Sequence, residues 1–326
     1  MGAILSSSID GVQRTLRERV TVSGVGVHSG QAVSAAICPA DPDTGISFIR
    51  TDLADFAVAE IPAHISAVGA TELCTMLAAP SGASVATVEH LLAAFSGLGV
   101  DNAVVEIDGP EVPVMDGSAD LFVDAIDQTG LMVQAAPRRF LRVLKPLRVE
   151  LGQSYAEFRP FEGRRFEVMI EYDCAVIGSQ KIVVDLTASA FRSEVSRART
   201  FGHLHNVERL WSAGFALGSS LENSVVIADG AVINPGGLRW QDEFARHKVL
   251  DAIGDLALAG APILGLYRSY RGGHKLNAAA LRALLEDETA WDIVTRPARE
   301  RRVPQGDLHG EATPALAAAA FAADQS

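Results

Sequence analysis

The chain has 326 residues, which suits two domains of ~100–200 residues better than a single hydrophobic core. Hydrophobic residues make up 48% and charged residues 21%, so the composition is that of a globular protein and excludes a disordered one. The formal net charge of −12 argues against a nucleic-acid partner, because bound phosphates need a basic surface.

The cysteines and the N-terminus predict the compartment. Cys38, Cys74 and Cys174 are an odd number without a CxxC spacing, which argues against a disulfide framework and predicts the cytoplasm. MGAILSSSIDGVQR lacks the charged and apolar regions of a signal peptide. MGAILS fits an acylation pattern, but so short a pattern often occurs by chance. No apolar run approaches the ~20 residues that span a bilayer, so we expect no membrane span.

The first half of the chain predicts strands followed by two helices. Residues 13 to 48 alternate between apolar and polar types with Gly-rich turns, as in antiparallel strands. SGVGVHSG resembles a dinucleotide-binding loop, but no helix pattern follows it, so we reject that function. TVEHLLAAFSGLG predicts a helix with Thr87 as N-cap and with Gly97 and Gly99 at its end. NAVVEIDG predicts a strand and DGSADLFVDAIDQTG a second helix.

The second half repeats this order. FLRVLKPLRVEL, YAEFRP, RFEVMIEY and QKIVVDL alternate as strands. Helical segments near 190–196 and 207–213 and the strand NSVVIAD follow. QDEFARHKVLDAIGDLALAG is the clearest helix, with acidic residues at its start and a Gly–Pro stop after its end. LGLYRSY predicts a strand and ALRALLEDETAWDIV a late helix.

These elements predict an α+β fold. Strands come in runs with few intervening helices, which argues against a doubly wound parallel sheet. VQAAPRRF has little periodicity and is the predicted domain boundary. We therefore predict α+β domains at residues 1–136 and 137–300 and a flexible tail at 301–326.

The stretch RHKVLDAIGD carries the first candidate site residues. His247, Asp251 and Asp255 follow one another at four-residue steps. Each such step on an α-helix turns by only about 40°, so the three side chains share one stripe. A His and an Asp at this spacing can hold one cation. Most such pairs are solvated ion pairs worth ~0.3–0.5 kcal/mol, and the helix alone favours that interpretation.

TVEH offers the missing ligand and a base. His90 lies at the start of an otherwise apolar helix, where a polar residue needs a reason. Catalytic zinc typically uses three protein ligands and leaves one position to water, which still needs a base such as Glu89. In isolation, an exposed first turn with an acid favoured by the helix dipole is the simpler interpretation.

The other histidines are less specific. His274, after two glycines in GGHKLN and near Arg271, suits a proton donor, an anion pocket or a plain surface loop. His203 and His205 have an H-x-H spacing, which on a strand would put both on one face. No carboxylate accompanies them, so we do not assign them to a metal. His28 is either structural or part of a cleft.

Together these motifs resemble a known family. TVEHLLAAFSGLGVDNAVVEIDGPEVPVMDGSA, SRARTFG, and DEFARHKVLDAIGDL followed by GGHKLN resemble the UDP-3-O-acyl-N-acetylglucosamine deacetylases, zinc enzymes at the committed step of lipid A synthesis in Gram-negative bacteria. The motifs extend in the expected order from about residue 14 to 294. The resemblance implies two similar α+β domains whose helices lie between outer sheets, each with a small insertion, and a site in the cleft.

The resemblance also implies roles for individual residues. One Zn²⁺ would be bound by His90, His247 and Asp251. Glu89 would be the general base, His274 the group that stabilises charge and protonates the leaving amine, Asp255 its orienting partner, and Thr200 a hydrogen-bond donor to the oxyanion. Substrate contacts would come from Lys248, Arg271 and Phe201.

The implied reaction hydrolyses the N-acetyl group of UDP-3-O-(3-hydroxyacyl)-N-acetylglucosamine and releases acetate. The implied partner is this UDP-linked acylated sugar, and we expect a monomer. Two alternatives stay open: a zinc hydrolase of another amide, and a non-catalytic sugar-nucleotide or acyl-carrier binding protein, which would lack a complete metal set. FGHLHNVERLWSAGFALGSSLEN is more individual, so the sequence does not predict the acyl-chain preference.

Overall fold

The computed structural model describes residues 11–53 and 60–295. The MGAILS motif and the predicted tail lie outside these residues. The described part is built mainly from antiparallel sheets with few helices, which confirms the predicted α+β class.

The first half forms a five-stranded sheet, a short hairpin and two helices. Its elements are β1 Val12–Leu16, β2 Val20–Val25, β3 Ala32–Pro39, β4 Ile46–Arg50, β5 Glu60–Pro62, β6 Leu77–Ala78, β7 Ser84–Val85, α1 Glu89–Leu98, β8 Ala103–Ile107 and α2 Asp120–Thr129, with a 3-10 turn at Ile65–Ala67. The sheet order is β2-β3-β8-β4-β5, and β4 with β8 is its parallel pair. The central strand β8 buries alternate side chains (Ala103, Val105 and Ile107), as expected for a strand with one face in the core.

The second half forms a seven-stranded sheet, a three-stranded sheet and the remaining helices. Its elements are β9 Leu131–Pro137, β10 Arg139–Val143, β11 Leu147–Leu151, β12 Ser154–Arg159, β13 Arg164–Glu171, β14 Ser179–Asp185, α3 Ala188–Ala190, a π-helix Phe191–Val195, β15 Phe201–His203, α4 Leu204–Ser212, β16 Val225–Ala228, β17 Ala231–Val232, α5 Glu243–Ala257, β18 Ile263–Tyr270, α6 His274–Glu286 and β19 Trp291–Thr295. Strand β18 is central: it pairs with β12, β13 and β10. Strands β15, β16 and β17 form the smaller sheet.

The predicted boundary segment forms regular strands although its sequence has little periodicity. It consists of β9, which pairs with β1, and β10, which pairs with β18 and β19. The chain therefore passes from one sheet system to the other at Arg138. The division into domains at residues 136 and 137 stays a prediction.

Helices α1 and α5 cross in close contact and so position the site. Helices α5 and α6 pack on strands of the seven-stranded sheet, α2 packs on β2, and α1 packs against both α2 and α5. A Cβ at Gly254 of α5 would lie 2.0 Å from the carbonyl oxygen of Glu89, so only glycine permits this approach. The first turn of α1 consequently lies against the middle of α5.

Two local predictions were wrong. Thr87 is not the N-cap of α1: Val88 occupies that position, while Thr87 has φ 56° and donates its hydroxyl to Glu111 Oε1 at 2.8 Å. WDIV is not helical, because this stretch forms β19 and completes the sheet beside β10. The predicted helical segment near 190–196 is confirmed, and most of it is a π-helix. No helix in the two described ranges is long and apolar enough to cross a bilayer.

Candidate metal and catalytic centre

Helices α1 and α5 bring five ionisable side chains into one buried cluster. Glu89 and His90 are the first two residues of α1, and α5 contributes His247, Asp251 and Asp255. All five are only 2–4% exposed. This burial rules out the solvated, salt-bridged face that the spacing on α5 alone favoured.

Three of these residues form a compact donor set. Single ligand atoms of His90, His247 and Asp251 all lie within 4.8 Å of one another, the only such group in the described part of the chain. Asp251 Oδ1 is 3.2 Å from His247 Nε2 and 3.7 Å from His90 Nε2. Two nitrogens and one oxygen are a ligand set that suits zinc.

Both imidazoles of the donor set are neutral, so the three donors themselves carry no positive charge. His247 Nδ1 donates to the carbonyl of Ala198 at 3.0 Å, so its Nε2 lone pair faces Asp251 Oδ1. Burial lowers the pKa of His247, and burial together with His247 lowers the pKa of His90 to about 3. Both imidazoles are therefore neutral near pH 7. Asp251 Oδ1, which faces the Nε2 atoms of both histidines, is buried without a hydrogen-bond partner among the described residues, as expected where a metal ion completes the site.

The Asp251 carboxylate is held ionised from its other side. Lys248 Nζ lies 2.8 Å from Asp251 Oδ2. Burial alone would raise the pKa of Asp251, but interactions with His247 and Lys248 outweigh it and hold that pKa far below its usual range. Lys248 Nζ also lies 5.6 Å from the ring centroid of Phe201, whose ring is 6.2 Å from that of His247. Lys248 and Phe201 thus adjoin the metal set.

Beside the donor set lies a second group, formed by Glu89, Asp255 and His274. His274 Nδ1 is 2.9 Å from Asp255 Oδ2, and its Nε2 is 3.6 Å from Glu89 Oε1. Burial would lower the pKa of His274, but the two carboxylates raise it to about 10. Burial raises the pKa of Glu89 to about 7. A charged imidazole and a carboxyl that titrates near neutrality are suited to act as acid and base.

Thr200 lies in a segment that touches the donor set. It directly precedes β15; its N–H donates to Gly117 O, and its carbonyl accepts from Val225 N, both at 2.8 Å. Ala198, two residues earlier, is the acceptor for His247. Arg271 is exposed, and its guanidinium donates to Gln153 Oε1 at 3.2 Å in the turn between β11 and β12, not to a residue of the cluster.

The three unassigned histidines lie in different surroundings. The His28 ring meets the Phe215 ring edge-on at 6.3 Å, and its Nδ1 is buried without a hydrogen-bond partner in the described residues. His203 ends β15, whereas His205 belongs to α4, so a strand does not put both on one face. Their ring centroids are 5.4 Å apart.

Sequence reasoning missed two side chains that bind Asp255. Asn277 Nδ2 donates to Asp255 Oδ2 at 2.7 Å, and Thr75 Oγ1 donates to Oδ1 at 2.5 Å. Asn277 follows His274 by three residues on α6, so a helix predicted to begin at His274 would have indicated it. Thr75 lies outside regular secondary structure, and no spacing pattern points to it.

Comparisons with known proteins agree with this geometry. The model of the family described as UDP-3-O-acyl N-acetylglycosamine deacetylase matches residues 13–286. Proteins from Brucella ovis and Brucella canis, both named UDP-3-O-acyl-N-acetylglucosamine deacetylase, are 56% identical over 283 residues, which is 86% of this chain and 98% of theirs. A protein of the same name from Brucella melitensis biotype 2 matches to the same extent. The chain therefore belongs to the UDP-3-O-acyl-N-acetylglucosamine deacetylase family.

Proposed function

We propose that this chain hydrolyses the N-acetyl group of UDP-3-O-(3-hydroxyacyl)-N-acetylglucosamine, releasing acetate and a free amine in the committed step of lipid A biosynthesis. The family match supports the substrate and the reaction. The observation that best supports a hydrolytic reaction is the position of the donor set. His90, His247 and Asp251 lie directly beside the proposed acid–base pair of His274 and Glu89. A merely sugar-nucleotide-binding protein would not need that combination.

The proposed cofactor is one Zn²⁺ bound by His90, His247 and Asp251. The donor set fits it, because two neutral imidazoles and an ionised carboxylate face one point and leave a buried oxygen without a partner. Zinc bound there would polarise the acetamide carbonyl and make water a nucleophile near neutral pH.

Glu89 is the proposed base. It is the residue before His90, and its Oε1 faces His274 Nε2 at 3.6 Å. Its pKa of about 7, raised by burial, lets the carboxylate take the proton of the attacking water at physiological pH. Its other oxygen, Oε2, accepts the N–H of Thr75 and is thereby fixed.

His274 is the proposed acid. As an imidazolium held by Asp255, it can stabilise developing negative charge and then donate its Nε2 proton to the departing amine. Thr200 would donate its hydroxyl to the carbonyl oxygen as that oxygen becomes negative. Lys248 and Phe201 would contact the sugar or acyl part of the substrate, and Arg271 its diphosphate.

The remaining parts of the proposal concern the state of the protein. Because the proposed metal ligands, base and acid all come from one chain, we propose that a monomer is active. The three cysteines are unpaired thiols, which supports a cytoplasmic location. We also retain two α+β domains, 1–136 and 137–300, with the site between them.

Metal analysis combined with a deacetylation assay tests the proposal. Purified protein should contain one zinc per chain, release acetate from the UDP-linked acyl sugar, lose this activity in a chelator, and regain it with added Zn²⁺. Full turnover by protein shown to be metal-free would contradict the metal assignment. Turnover only with an unrelated amide would contradict the substrate.

A further inference from the structure

Thr75 contacts the carboxylate of the proposed base, Glu89, and the carboxylate of Asp255, which holds the proposed acid, through different atoms. Its main-chain N–H donates to Glu89 Oε2 at 3.0 Å, and its hydroxyl donates to Asp255 Oδ1 at 2.5 Å. Its carbonyl accepts the N–H of Val88, which directly precedes Glu89. Thr75 is only 2% exposed, so it has no surface with which to touch a substrate.

The contacts of Asp255 explain why this hydroxyl matters. Asp255 Oδ2 accepts hydrogen bonds from Asn277 and from His274 Nδ1, and Asn277 Oδ1 in turn accepts the Tyr267 hydroxyl at 2.6 Å. All of these partners belong to β18 and α6, in the second half of the chain. Thr75 supplies the hydrogen bond to Oδ1 from the first half. Without it, the buried carboxylate would keep donors on one oxygen only and could rotate, and the His274 ring would turn with it.

We propose that Thr75 is a positioning residue that fixes the His274 acid relative to the Glu89 base across the two halves of the chain. The inference rests on the proposed function, in which these two residues transfer protons. Thr75 contacts both groups: its main-chain N–H holds Glu89, and its hydroxyl holds Asp255, which in turn holds His274. The roles are separable, because a side-chain substitution leaves the main-chain N–H in place.

Thr75→Val is the direct test, since valine has nearly the same shape and lacks only the hydroxyl. We expect kcat to fall by about 10- to 100-fold, the range typical of lost partners behind a catalytic group. KM and zinc content should stay at wild-type values, and Thr75→Ser should restore most of kcat. Thr15→Val is the matched control: Thr15 lies in β1 and is 0% exposed, and its hydroxyl accepts the N–H of Ala40 instead of contacting a residue of the proposed site.

A double-mutant cycle shows whether Thr75 acts through His274. In a His274→Gln background, adding Thr75→Val should lower kcat by no more than about 3-fold, because residues that act as a unit are not additive. The same fall in both backgrounds would overturn the proposal. So would wild-type kcat in Thr75→Val, or equal losses in Thr75→Val and Thr75→Ser, which would indicate packing. Two other results would contradict the proposed function itself and not only the role of Thr75. The wild-type protein would fail to deacetylate the UDP-linked acyl sugar, or His274→Gln alone would be fully active.

Discussion

Replacing Glu89 by glutamine should remove the proposed base and leave the proposed metal donors in place. The amide has the size of the carboxyl group and can still accept the Thr75 N–H through its oxygen, so the buried side chain keeps its anchor. It cannot take a proton from water. Loss of a positioned base typically costs about 10²- to 10⁴-fold in rate, which corresponds to about 2.7 to 5.4 kcal/mol of transition-state stabilisation.

The assay measures acetate release from the UDP-linked acyl sugar together with zinc per chain. We expect Glu89→Gln to lose at least about 100-fold in kcat while its zinc content and melting temperature stay near wild type, because Glu89 is outside the donor set. Glu18→Gln is the matched control, since Glu18 is exposed on the surface.

Two results would refute this reasoning. Near-normal turnover of Glu89→Gln would show that another group takes the proton. Loss of zinc from the variant would show that Glu89 belongs to the metal site and that the division between ligands and base is wrong.

Three further predictions address the metal, the helix crossing and a buried ion pair. His90→Ala should lose both zinc, measured by metal analysis, and activity; a variant with full zinc content would remove His90 from the donor set. Gly254→Ala should lower the free energy of unfolding in urea by about 1–3 kcal/mol or more because its methyl group would meet α1, whereas Gly236→Ala, with no atom near its Cβ position, should change it little. Glu243→Ala should cost about 3–5 kcal/mol in the same measurement because it leaves the Arg199 guanidinium buried without its carboxylate; a loss below about 1 kcal/mol would mean that water replaces the pair.

Elements with strong periodicity were predictable because the spacing of their apolar residues indicates which side is buried. Strand β8 lies within the predicted strand NAVVEIDG. Helix α5 lies between the acidic residues and the Gly–Pro stop that predicted its two ends. The errors lie where long-range pairing decides local structure. The stretch Trp291–Thr295 forms a strand because β10 offers it a free edge, and nothing within those five residues contains that information.

The candidate site was predictable only in part for the same reason. The four-residue spacing predicted that His247, Asp251 and Asp255 share one side of α5. Their burial depends on the approach of α1, and the only local sign of that approach in α5 is Gly254. Thr75 was invisible, because its two hydrogen bonds join residues 14 and 180 positions away along the chain. Groups that act by linking distant segments have no local pattern.

The geometry of two helices accounts for the separation of the proposed metal donors from the proposed acid–base pair. Successive four-residue steps on α5 turn by about 40° each, so Asp255 points about 80° away from His247. Glu89 and His90 are consecutive on α1 and therefore point about 100° apart. At the crossing, His90 meets Asp251 while Glu89 faces His274, which Asp255 holds. The pairing follows from helical periodicity once Gly254 lets the helices touch. A longer side chain at Gly254 should therefore disturb the metal set and the acid–base pair together, rather than either alone.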